Sequence, residues 1–131
     1  MKLPPYADTL GIALASAPGE PPLLTMAFGG AVIGRPGFLH GGAIAGLLEM
    51  AAIAALSHAL GDEGDRIKPI NVTIDYMRGG RERETWAQGI VTRLGTRIAN
   101  VEAMAWQEDR TRPIAAARMH YMLTRVSASA A

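Results

Sequence analysis

The sequence predicts an α+β domain in which an antiparallel β-sheet wraps around one long central α-helix. Three observations lead there. From Gly42 to Leu60 the chain is mostly Ala and Leu, with Ile44 and Ile53 as its β-branched residues, which is helix composition. After Asp65 the apolar pattern changes to alternation: within Ile67–Met77, Val72, Ile74 and Tyr76 fall on one face, and Asn71, Thr73 and Asp75 on the other. Four strand-like runs then follow one another through short turns, which predicts an antiparallel meander. A helix that is apolar on every side has to be surrounded, and a curved sheet is the economical way to do it.

Taken in order, the stretch from Pro4 to Leu10 reads as a short helix closed by Gly11. Gly11–Phe28 holds two strand-like runs around a Pro18-Gly19 turn. Gly29–Phe38 reads as a glycine-rich loop, and Pro36 keeps the long helix from starting before His40. Gly61–Asp65 is expected to end that helix as a solvated loop. The strand-like runs are Ile67–Met77, Thr85–Leu94, Ile98–Gln107 and Pro113–Val126, with turns at Arg78–Glu84, Gly95–Arg97 and Glu108–Arg112. Residues 127–131 read as a disordered tail.

The 131 residues fit one domain spanning 1–131, with no internal repeat and no linker. A net charge of +1 provides no field for nucleic acid or a membrane surface. The absence of cysteine excludes disulfides and thiolate metal sites, and it suits a cytoplasmic location. The first ten residues, with two prolines, lack the apolar core of a signal peptide. Gly41–Gly61 is long enough to span a bilayer, yet it contains Glu49, Ser57 and His58; the carboxylate alone is unfavourable there by roughly 2.5 kcal/mol or more. It reads as the buried helix of a soluble protein. A single copy would leave part of that helix or a sheet edge uncovered, which predicts a homodimer.

The chemistry centres on Glu49. An ionised carboxyl in an apolar run costs several kcal/mol unless it is paired or neutralised. Its neighbours one turn away, Ala45, Gly46, Ala52 and Ile53, are mostly small and leave room for a ligand beside it. The structural alternative is a carboxylate tied to an arginine or to backbone N–H groups. At the predicted helix start, Gly41 and Gly42 have backbone N–H groups without intrahelical partners, the helix dipole favours negative charge, and the missing Cβ atoms permit close approach. Bare N–H donors with a carboxylate two turns along suit acyl transfer: the donors hold a developing oxyanion while the carboxylate attacks or activates water.

The segment HGGAIAGLLEMAA (His40–Ala52), followed by INVTIDYMRGG (Ile70–Gly80) and VTRLGTRIANVEAMAW (Val91–Trp106), resembles the hotdog-fold acyl-CoA thioesterases of the phenylacetate-degradation (PaaI-like) type. The resemblance runs from about Leu10 to Val126, and its most specific part is His-Gly-Gly with an acid nine positions after the histidine. It implies a hotdog fold, a homodimer or homotetramer, and hydrolysis of acyl-CoA or aryl-CoA thioesters at a site between subunits. It implies no cofactor beyond the coenzyme A of the substrate. By the same resemblance Glu49 is the catalytic acid, as nucleophile or general base, and the Gly41 N–H polarises the thioester carbonyl. His40 and Gly42 complete the motif, with His40 shaping the loop. The sequence departs from the family at Gly34, where relatives often carry Asn or Gln, and at Ile53, where some carry a hydroxyl residue. Pro69 stands where others place Ser or Thr, leaving Asn71 and Thr73 as substitutes from the partner subunit. Arg78, Arg81, Arg93 and Arg97, at strand ends and turns, are the candidates for the phosphates of CoA; those beside Glu82 and Glu84 also fit an ordinary solvated surface.

Other chemistries fit less well. GGAVIGRP (Gly29–Pro36) has phosphate-loop glycine spacing, but Arg35-Pro36 stands where Lys-Ser/Thr is needed. His40, His58 and His120 lack metal-ligand spacing. His58 reads as a dipole partner at the helix end, and Met50, Met77, Met104, Met119 and Met122 as core filling. No serine sits in a Gly-x-Ser-x-Gly context. Two alternatives on the same fold are a non-catalytic acyl-CoA or aromatic-ligand binder and a dehydratase or hydratase. Related dehydratases carry a histidine about fourteen residues before the acid, where this chain has Arg35.

Overall fold

The computed structural model describes residues 1–61 and 66–124. Its elements are helix α1 (Tyr6–Leu10), strands β1 (Ile12–Leu14) and β2 (Leu23–Met26), a 3-10 turn at Gly30–Val32, helix α2 (Gly41–Leu60), and strands β3 (Arg66–Tyr76), β4 (Thr85–Leu94), β5 (Ile98–Trp106) and β6 (Ala115–Thr124). The expected loop at 62–65 and the expected tail at 127–131 lie outside the described residues.

Gly11 closes α1 in the left-handed region, at φ 69°, with its N–H returned to the helix carbonyls. His40, in extended conformation, caps α2, and its imidazole Nδ1 accepts from Gly42 N–H at 2.8 Å. The loop before it is more ordered than its glycines imply. Besides the 3-10 turn, Ile33 bridges Leu39, and His40 N–H donates to the Val32 carbonyl at 2.8 Å. At the far end of α2, His58 lies in the last turn, where a cation complements the dipole.

The six strands form one antiparallel sheet in the order β1-β2-β4-β5-β6-β3. This corrects the simple meander. β4, β5 and β6 follow one another as expected, but β3 pairs with β6 at the far edge and the chain crosses the sheet end to begin β4 beside β2. Pro69 gives the physical reason: proline has no N–H to donate to a ladder, so a strand that contains it is confined to an edge or a bulge. Both apply here, since the β3–β6 register shifts between Pro69 and Asn71.

α2 lies across the inner face, against β4 and β5. Leu47, Leu48, Ala52 and Leu56 are fully buried, each leucine stabilising the fold by roughly 1.5–3 kcal/mol. Close approach is possible because β4 carries Gly89, where a Cβ would stand 2.6 Å from the Ala51 carbonyl oxygen. β3 projects beyond the cover of α2. Ile70, Val72 and Tyr76 are about half exposed on it, and its outer edge has no partner strand among the described residues. The methionines divide. Met50 and Met119 fill the core as expected, whereas Met77, Met104 and Met122 are surface residues, Met77 following the end of β3 and the other two on the sheet face turned away from α2.

Candidate functional site

The first turn of α2 forms one wall of a cavity of about 480 Å³, lined by Gly34, Phe38, Leu39, His40, Gly41 and Ile44 from one side and Tyr76–Gly80 from the other, with Arg35 and Arg78 at its rim. Of the two glycine amides at the helix start, Gly42 N–H is taken up by His40 Nδ1, while Gly41 N–H has no acceptor among the described residues. His40 accepts through Nδ1, so its neutral ring carries its proton on Nε2 and its role is to cap the helix. Tyr76 reaches over the same turn, its hydroxyl donating to the Gly41 carbonyl at 2.9 Å.

Gly34 lines this cavity but has no room for a side chain, because a Cβ there would stand 2.9 Å from the His40 Cα. The loop at this position is closed by Gly34 N–H donating to the Phe38 carbonyl at 2.9 Å.

Glu49 is half-buried on α2 and forms no ion pair among the described residues. It belongs to a partly exposed stripe, Gly41, Ala45, Glu49, Ile53 and Ser57, spaced one turn apart along one face of the helix. Of the small neighbours expected to make room for a ligand, Ala45 is partly exposed. Ala52 is buried in the core, and Gly46 receives α1, since a Cβ there would stand 2.6 Å from Leu10 Cδ1. Below the acid, Tyr121 is fully buried, its hydroxyl donating to Met119 Sδ at 3.1 Å. Burial raises the Tyr121 phenol well above the usual tyrosine range, and the negative charge of Glu49 adds to the effect. Glu49 does not line the Gly41 cavity. Eight residues of helix separate the two, about 12 Å along the axis.

The remaining candidates separate into two groups. Arg78 and Arg81 meet Arg83 and Arg112 around a second hollow of about 250 Å³, which adjoins the first through Arg78 and Gly79. There Arg83 pairs with Glu108, Arg78 Nε donates to the Pro113 carbonyl at 3.2 Å, and Arg81 and Arg35 stack on Phe38 at 4.3 and 4.7 Å from the ring centre. Gln107 fixes this loop by bonding the backbone of Arg81 and Arg83 and the Thr85 hydroxyl. Arg93 and Arg97 lie at the β4–β5 turn, around a separate hollow of about 420 Å³. Register puts that turn at the opposite end of the sheet, about 30 Å along β4 from Thr85. Asn71 and Thr73 are paired with His120 and Arg118, on the sheet face away from α2, and Asn71 Oδ1 lies 2.7 Å from His120 Nδ1. Sequence reasoning overlooked Phe38, Arg35, Arg112 and the hydroxyl of Tyr76, which come together only through the packing of two loops. No three His, Asp or Glu side chains converge as metal ligands would among the described residues.

Comparison with known proteins adds the following. The family model of the thioesterase superfamily matches residues 36–114. No curated protein matches the chain. Among solved structures, a protein from Chromobacterium violaceum is 32% identical, with TM-score 0.70 over 94% of this chain and 85% of the other. A thioesterase from Haemophilus influenzae is 20% identical, with TM-score 0.81 over 92% and 83%. A phenylacetic acid degradation-related protein from Ralstonia eutropha is 19% identical, with TM-score 0.77 over 93% and 92%. The last two are likenesses of fold: an antiparallel sheet with one long helix packed against it.

Proposed function

The chain belongs to the thioesterase superfamily, and from that premise we propose that it hydrolyses acyl-CoA or aryl-CoA thioesters to the free acid and coenzyme A. The observation that carries the reading is the Gly41 N–H, without an acceptor among the described residues, at a helix start that lines a cavity, with Glu49 on the same helix and in no ion pair among those residues. The thioester carbonyl accepts from Gly41 N–H, which stabilises the oxyanion as the tetrahedral centre forms. As nucleophile Glu49 displaces the CoA thiolate to give a mixed anhydride that water then hydrolyses to the free acid; as general base it takes a proton from the attacking water and returns it to the thiolate as the C–S bond breaks. The scheme asks for no cofactor beyond the CoA of the substrate.

About 12 Å of helix between Gly41 and Glu49 is too far for both to act on one carbonyl, which requires contacts near 3 Å. A second copy resolves this. With β3 edges paired and the two α2 stripes adjacent, Glu49 of one protomer faces Gly41 of the other, and the exposed apolar residues of β3 are covered. The arginine hollow beside the cavity offers Arg78, Arg81 and Arg112 to the phosphates of CoA; Arg93 and Arg97 are too far away in the same protomer.

A thiol-release assay across short-chain, long-chain and aryl CoA esters tests the reading. Glu49→Gln keeps the shape and removes the charge, and should lower kcat by about 10²–10⁴-fold with KM little changed. Equal turnover by the variant would refute the assignment. The crowded Gly34 also fits a second reading, a binder of acyl-CoA without hydrolysis. Saturable binding with no released thiol would establish it.

A further inference from the structure

Arg81 is held at both ends. At its backbone, the Gln107 side-chain oxygen accepts from Arg81 N–H at 2.9 Å, and Gln107 Nε2 donates to the Arg81 carbonyl at 3.0 Å. The same Nε2 reaches the Arg83 carbonyl at 3.2 Å and the buried Thr85 hydroxyl at 3.0 Å. One amide, just past the end of β5, thus ties the loop after β3 to the first residue of β4. At its far end, the Arg81 guanidinium lies over the Phe38 ring, 4.3 Å from the ring centre. Phe38 is itself seated against Gly79, where a Cβ would stand 2.8 Å from the ring. An exposed arginine otherwise rotates about several bonds and loses much entropy when it is ordered. Here the backbone grip fixes where the side chain leaves the loop, and the ring fixes where its head lies.

The surroundings single Arg81 out. In the hollow that it lines, Arg83 pairs with Glu108, whereas Arg81 is in no ion pair among the described residues. That hollow adjoins the Gly41 cavity, so a ligand can run from one into the other. Stacking uses the face of a guanidinium and leaves its in-plane N–H donors for an anion.

We infer that Gln107 is a positioning residue: through the backbone of Arg81 it holds that guanidinium ready for a phosphate, and so makes the site select thioesters of coenzyme A over thioesters whose thiol carries no phosphate. A phosphate that meets a guanidinium already in place loses less ordering entropy than one that has to gather a mobile side chain, and the planar fork of donors fits its oxygens. The substrate part of this inference rests on the proposed thioesterase reading; the binding of coenzyme A itself does not.

The test compares an acyl-CoA with the N-acetylcysteamine thioester of the same acyl group, which has the same reacting bond and no phosphate. In Gln107→Leu, KM for the CoA ester should rise roughly tenfold with kcat changed by less than about twofold, while kcat/KM for the N-acetylcysteamine ester stays within about twofold of native. Gln107→Asn, which keeps the amide and shortens its reach, takes its place if Gln107→Leu does not fold. Arg81→Met removes the charge and should raise KM for the CoA ester likewise. The double variant should lose no more than about the larger single loss, because Gln107 acts through Arg81. An equal fall for both substrates would make Gln107 only a support of the fold and overturn the inference, as would additive losses. If the native chain releases no thiol, the thioesterase reading fails, and calorimetric binding of coenzyme A against pantetheine decides the inference. Gln107→Leu should then weaken coenzyme A binding roughly tenfold and pantetheine binding by less than about twofold; an equal effect on both, or none on coenzyme A, overturns it.

Discussion

Glu49 and Tyr121 form the least ordinary pair of side chains in the molecule. The acid is half-buried and in no ion pair among the described residues, and beneath it lies a fully buried phenol that donates to a methionine sulfur. Both burial and the Glu49 charge oppose ionisation of Tyr121. A phenol raised above its unfolded value of about 10 contributes stability that is complete below that pH and is lost as pH rises toward the folded value. Native protein should therefore lose stability above about pH 10, and Tyr121→Phe should abolish that part of the loss while changing stability little at pH 7. Thermal melts of the two proteins across pH 7–11 check this, and a parallel alkaline fall in both would refute it.

At the scale of elements, the long helix depends on one strand position. Gly89 lets α2 settle on β4, with its Cα facing the Ala51 carbonyl and the Ala55 methyl. Gly89→Ala drives a methyl into backbone rather than into a flexible side chain, so α2 has to move. Such overpacking typically costs about 1–3 kcal/mol, enough to lower Tm by several degrees. A differential scan showing an unchanged Tm would mean that the sheet yields instead. Gly46→Ala provides a milder comparison, because the atoms it meets belong mainly to the Leu10 and Tyr6 side chains, which can shift.

For the whole molecule, the uncovered face of edge strand β3 is where the proposed homodimer is tested. Its inward residues Val72, Ile74 and Tyr76 share a face with the buried Met119, Ala117 and Ala115, yet within one protomer α2 does not reach far enough to cover Val72 or Tyr76. Val72→Lys places a charge on this uncovered face, a device that natural edge strands use to prevent pairing. The variant should elute as a monomer on sizing chromatography and lose thioesterase activity even though Gly41 and Glu49 are both intact, because each lies about 12 Å from the other on its own helix. An active monomer would show that one chain is sufficient for the site.

Much of this was legible in the sequence because it depends on local rules. Composition determined the helix, alternation determined the strands, Gly11 and His40 marked helix ends, and a carboxylate in an apolar run singled out Glu49. The sequence even contained the clue to the strand order, since Pro69 cannot donate to a ladder, but proximity along the chain favoured the meander. The tertiary structure alone decided what depends on atoms brought together from distant segments: which glycine amide is left free, that Tyr76 reaches the Gly41 carbonyl, that Arg78 and Arg81 share a hollow with Arg112 while Arg93 and Arg97 lie at the other end of the sheet, and that Asn71 and Thr73 face away from α2. Spacing along a chain records which residues can share a face; it carries no record of the distance between faces that belong to different elements, and the chemistry of the site depends on that distance.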